Sequence, residues 1–189
     1  MKSSKFFIGI IALILVIVVA ILTILFSGKK GSKVADNTSA SCITKTEDRI
    51  VSGNSLDGFI DAGKTIKILY GFYDCNPVQR GDVVVYNYAG DVNPLIKIVK
   101  GVSGDKFHLS QTNGGWNILI NGEVIKNSSG QEYLLSDRSS RMLALYENDY
   151  KGVIPAGAYL ILGNLASGSL DSSRFGLVSK SDILGKVVY

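Results

Sequence analysis

The sequence predicts an all-β domain of coiled antiparallel sheets or a β-barrel, hung on one N-terminal transmembrane helix. Three observations carry this. The chain starts with a long uncharged apolar run, continues in short β-branched and aromatic runs separated by Gly, Asn, Asp and Ser, and beyond residue 30 sustains no helical period over three turns. Its 189 residues leave room for one domain of ordinary size plus accessory segments. The expected divisions are an N-terminus at 1–5, an anchor at 6–27, a linker at 28–40 and the β domain at 41–189.

The anchor rests on Phe6–Phe26, which carries no charge and is rich in Ile, Leu and Val. A helix of that length is roughly 31 Å long, close to a hydrocarbon core of about 30 Å. A cleaved signal peptide is the alternative. Its apolar core is usually about 7–15 residues and ends in small residues, and "ILTILFSGKKG" offers no such site. Lys2 and Lys5 before the span are balanced by Lys29, Lys30 and Lys33 after it, so flanking charge does not fix the orientation.

The linker "GKKGSKVADNTSA" is small, polar and without periodicity. After it, "KTIKILYGFY", "GDVVVYNY", "PLIKIVKGV", "KFHLSQ", "WNILINGEVIKN", "GAYLILGN" and "ILGKVVY" read as strands. Asn121-Gly122 joins two such runs and predicts a tight hairpin.

The formal net charge of +4 owes much to the lysines around the anchor. No arginine-rich stripe or aromatic–basic alternation appears, which argues against a nucleic-acid partner. Cys42 and Cys75 are either two buried thiols or one disulfide. The even count and the anchored layout favour the disulfide, which would close a loop of about 34 residues worth on the order of 3–4 kcal/mol and place the domain outside the cytoplasm. Asn37 and Asn127 stand in Asn-x-Ser sequons, which matter only in a glycosylating cell.

Chemistry is sparse. Two thiols and one histidine cannot form a four-ligand zinc site, so neither a metal nor a cofactor is expected. His108 alternates away from Phe107 and Leu109 and reads as a surface strand residue rather than a triad base. Asp57, Asp82 and Asp105 lie beside glycines or in turns, where aspartate serves local hydrogen bonding. Ser55, in "VSGNSLDG", is either a turn serine or a nucleophile, and a nucleophilic serine needs a base. Lys97 shares the apolar face of Leu95 and Val99, whereas Lys100 faces the other way. Lys97 is either an edge lysine whose head reaches solvent or a buried amine whose pKa is lowered enough to act as a base.

Four segments in order, "VSGNSLDG", "RGDVVVYNY", "LIKIVKGVSGD" and "LGNLASGSLDSSRFGLV", closely resemble the bacterial type I signal peptidases, membrane-anchored serine–lysine peptidases. The resemblance covers roughly residues 49–189. It matches Arg80, Gly81, Asp82 and Val84 to the second box. Lys97, Val99, Gly101, Gly104 and Asp105 fall on the third, and Gly163, Ser169, Asp171, Ser172 and Gly176 on the last. It implies Ser55 as nucleophile with its own backbone N–H on the oxyanion, Lys97 as general base, Ser169 orienting the lysine, and an ion pair between Asp171 and Arg174. The implied substrates are secretory preproteins, cut after small side chains by a monomer in contact with membrane lipid. The implied placement is a single-pass protein of the cell membrane, N-terminus cytoplasmic and catalytic domain outside.

Departures mark a divergent branch: Leu56 for Met, Gly58 for Pro, Ile98 for Arg, Asn164-Leu165 for Asp-Asn, and Arg174 one place late. Gly53 stands where some members carry a second oxyanion hydroxyl. Two alternatives stay open: a dedicated processing peptidase of a specialised secretion or conjugation system, and a non-catalytic anchored β domain that binds a peptide.

Overall fold

A computed structural model describes residues 42–88 and 94–189. The expected N-terminus, anchor and linker lie outside the described residues. Among the described residues no helix is long and apolar enough to cross a membrane.

The larger sheet has seven strands: β1 (Lys45–Ile50), β2 (Thr65–Tyr70), β3 (Val83–Tyr86), β4 (Leu95–Gly101), β9 (Ala158–Leu162), β10 (Val178–Ser179) and β11 (Ile183–Val188). Their order is β1-β2-β11-β3-β4-β9-β10, with antiparallel pairing throughout, so β1 and β10 form its two edges. The smaller sheet holds β5 (Phe107–Thr112), β6 (Gly115–Ile120) and β7 (Glu123–Val124), with β8 (Leu134–Leu135) also on β6. The expected hairpin forms: Ile120 pairs with Glu123, and Asn121 and Gly122 have φ of 54° and 87°, the left-handed pair that a two-residue turn requires.

Strand β3 explains its own unbroken apolar sequence, because it is buried on both faces. Val83 and Val85 join Leu56, Ile66, Ile68 and Ile98 in one core, while Val84 joins Val99, Tyr159 and Ile161 in another. A third core, around Phe107, Ile118, Tyr133, Leu143 and Leu160, fills the smaller sheet.

Among the described residues three α-helices and a 3-10 turn (Lys180–Asp182) interrupt the β architecture: α1 (Phe72–Cys75), α2 (Asp137–Asp149) and α3 (Ser172–Phe175). The 13-residue α2 corrects the reading that no segment beyond residue 30 sustains a helical period over three turns. Its start is capped by Ser136, whose Oγ accepts from Ser139 N. Its buried face is Ser139, Ser140 and Leu143, so two of its three buried positions are polar and the apolar period is too weak to stand out. Cys42 and Cys75 are bonded, with Cα atoms 5.9 Å apart, and the closed loop contains β1, β2 and the Ser55 turn between them.

Candidate active site

Ser55 sits in a tight turn between β1 and β2, and the residue after it anchors that turn. Leu56 is 2% exposed and packs into the core with Val51 and Ile60. Apolar volume is what this position asks for, so Leu serves as Met would. Gly58 has φ of 75°, which proline cannot adopt, and its N–H donates to Asp61 Oδ1 at 2.9 Å. Glycine therefore supplies both a conformation and a donor that proline lacks.

Lys97 lies mid-β4, opposite Val84 on β3. Its side chain is on the same face as Val99, as alternation predicts, and the residue is 3% exposed. Nζ donates to Ser55 Oγ at 2.8 Å and to Ile96 O at 2.9 Å. Burial pushes the ammonium from its ordinary 10.5 down to about 8, against the pull of the Asp171 charge, which raises it.

The last box approaches from the end of β9. Gly163 has to be glycine here: a Cβ would stand 2.5 Å from Ser169 Oγ and 2.6 Å from Ser55 O. Asp171 is fully buried and caps α3, accepting from Ser173 N at 3.0 Å. It also accepts from Gly163 N at 3.0 Å, from Ser169 N at 3.2 Å and from Ser169 Oγ at 2.6 Å.

Two of these contacts differ from those the resemblance implies. The Ser169 hydroxyl is directed to Asp171, and the hydrogen bonds of Lys97 go to Ser55 and Ile96. Asp171 and Arg174 make no ion pair, because the carboxylate is enclosed by neutral donors while Arg174, displaced by one residue, is exposed.

Asn164 is a site residue that appeared in the sequence only as a departure. It is 2% exposed. Its backbone N donates to Ser55 O at 2.6 Å, and its Nδ2 donates to Asp57 O and Ser128 Oγ, each at 2.8 Å. Its Oδ1 accepts from Ser128 N and its backbone O from Asn127 Nδ2, each at 2.9 Å. Tyr133 OH donates to Gly163 O at 2.6 Å next to it. No spacing rule could find these residues, since the bonds join segments up to 109 positions apart (Asn164 to Ser55).

The dyad opens into a groove of about 360 Å³, walled by Ile50, Val51, Ser52 and Ser55 on one side and by Leu95, Ile96 and Lys97 on the other. Strand β9 pairs with β4 only from Ile98 onward, so among the described residues no strand pairs with the backbone edge at Leu95–Lys97 on that side. Ser55 N donates to no protein acceptor among the described residues. A larger cavity of about 740 Å³ lies between Arg80, Lys100, Ile120 and Val124, but the serine and the buried lysine are not in its wall. The second-box residues are structural ties: Arg80 Nη2 donates to both oxygens of Asp105 at 2.7 Å, and Asp82 accepts from Tyr73 OH at 3.0 Å. His108 is exposed, bonded to Glu147 and outside the site.

The chain matches the family described as "Signal peptidase, peptidase S26" over residues 4–189. It is 28% identical over 148 residues to signal peptidase IB of Staphylococcus aureus strain COL, covering 74% of each protein. It is 28% identical over 141 residues to signal peptidase I of Bacillus caldolyticus, covering 73% of this chain and 75% of that one. A crystal structure of a signal peptidase I from Enterococcus faecalis is 19% identical, with a TM-score of 0.42 and coverage of 60% of this chain and 98% of that one.

Proposed function

This chain belongs to the signal peptidase family, peptidase S26, and from that premise we propose that it removes signal peptides from exported preproteins with Ser55 as nucleophile and Lys97 as general base. The observation that carries the reading is the 2.8 Å contact between Ser55 Oγ and an amine that burial has brought to about 8. Near pH 8 about half of such an amine is neutral, so its lone pair takes the Ser55 proton as Oγ attacks the scissile carbonyl. The resulting ammonium returns that proton to the leaving amine. An acyl-enzyme on Ser55 then remains, and a water deprotonated by the same lysine releases it. The Ser55 N–H is the donor for the oxyanion.

Asp171 and Ser169 act one step back. The buried carboxylate fixes Ser169 and the Gly163 backbone, and its charge limits how far the lysine pKa falls. The substrate, extended and cut after small side chains, adds to the open edge of β4 by main-chain bonding and lies against Val51 and Ser52. An anchor at 6–27 holds enzyme and signal peptide in one membrane, with the domain on its outer face.

The test is cleavage of a model preprotein by the full chain in detergent. Ser55→Ala and Lys97→Met are each expected to lower turnover by about 10³-fold or more. Turnover that survives either change sinks the dyad.

A further inference from the structure

Away from the groove, Arg138, Arg141 and Arg174 line one cavity of about 270 Å³ together with Met142, Leu145 and Ser173. Their convergence follows from helix geometry. Positions 138, 141, 142 and 145 recur at i, i+3, i+4 and i+7, so they share one face of α2, and α3 brings Ser173 and Arg174 against it. Among the described residues none of the three guanidinium groups makes an ion pair. Their one hydrogen bond to protein runs from Arg141 Nε to Asp137 O at 3.3 Å.

The neighbouring carboxylates are engaged elsewhere. Asp137 accepts from Trp116 Nε1 at 2.9 Å, Glu147 from Leu109 N at 3.1 Å alongside its His108 contact, and Asp171 is enclosed by the site backbone. Three like charges around one cavity repel one another.

We propose that this cavity binds a phosphate group. A tetrahedral anion offers the forked guanidinium groups two-point contacts and relieves their mutual repulsion. Met142 and the exposed Leu145 give it an apolar wall beside the charge, which suits a phospholipid headgroup as well as free phosphate. The site is independent of the roles given to Ser55 and Lys97, which are not in its lining.

The experiment follows thermal unfolding of the full chain in neutral detergent, titrated with inorganic phosphate or with micelles doped with phosphatidylglycerol or phosphatidylcholine. Wild type is expected to show a saturable rise in Tm, and Arg138→Gln, Arg141→Gln and Arg174→Gln are each expected to weaken binding about tenfold. Arg174→Lys is decisive, because it keeps the charge and loses the fork. A weakening of about fivefold or more supports a built site, and unchanged affinity overturns it in favour of unspecific charge attraction. Stabilisation by phosphatidylglycerol that these variants lose makes the ligand a headgroup, while a response to inorganic phosphate alone makes it free phosphate. No saturable response to either anion overturns the proposal.

Discussion

Lys97 on β4 and Lys186 on β11 belong to one sheet and live in opposite electrostatic worlds. Lys186 Nζ donates to Asp82 Oδ1 at 2.7 Å and lies 5.1 Å from the centre of the Phe72 ring. Asp82 is in turn held by Tyr73 OH and by Gln79 N at 2.9 Å. Lys97 is more deeply buried and meets only a hydroxyl and a carbonyl. A paired lysine ties strands together. An unpaired one is ready to give its proton up, and that readiness is what a base requires.

The two lysines are therefore expected to respond to the same substitution with opposite sign. The folded-state pKa of Lys97, about 8, lies below its ordinary 10.5. Between those values the unfolded chain binds more protons, so stability rises with pH through that window and is lowest below about 8. At pH 7 Lys97→Met removes a penalty on the order of 3 kcal/mol, partly offset by the lost bond to Ile96 O. Lys186→Met strands the Asp82 carboxylate and is expected to destabilise by roughly 1–3 kcal/mol, between the exposed and buried limits. Denaturant melts of both variants at pH 7 read this directly, and equal destabilisation would break the contrast.

The pH dependence of turnover comes next in size. With a base near 8, kcat/KM is expected to fall about tenfold for each unit below that value, reaching about 100-fold at pH 6. A profile flat down to pH 6 would mean that Lys97 is not the titrating base.

A smaller effect comes from giving Lys97 some of what Lys186 has. Asn164→Asp keeps the volume, removes the donors to Asp57 O and Ser128 Oγ, and places a carboxylate behind the Ser55 turn. We expect kcat to fall about tenfold, and the acid limb to move to higher pH because the added charge favours the ammonium. Asn164→Ala should lower kcat without moving the limb. A drop in Tm with kcat and limb both unchanged would reduce Asn164 to a structural tie.

These experiments also separate what could be read along the chain from what could not. Lys97 was visible because a charge inside "LIKIV" violates strand alternation, and the hairpin because Asn121-Gly122 is a local turn code. The serine needed the resemblance, since nothing within a few residues distinguishes a nucleophile from a turn residue. Asn164, Asn127 and Tyr133 stayed hidden because their partners are remote in sequence. The α2 helix did so because serines line much of its buried face. The donors around Asp171 were hidden for a similar reason: only the fold brings the Gly163 backbone N–H to its carboxylate.

Asn127 has a practical consequence for anyone producing this protein. It stands in a sequon, yet it is 9% exposed and its Nδ2 donates to Asn164 O at 2.9 Å and to Gln131 Oε1 at 3.0 Å. That nitrogen is the atom to which an oligosaccharide would be joined. In a eukaryotic secretory host, any chain that receives a glycan there before folding loses a strut behind the Asn164 contacts that hold the serine turn. Mass spectrometry of material from such a host is expected to show any glycan at Asn127 confined to the fraction with lowered activity.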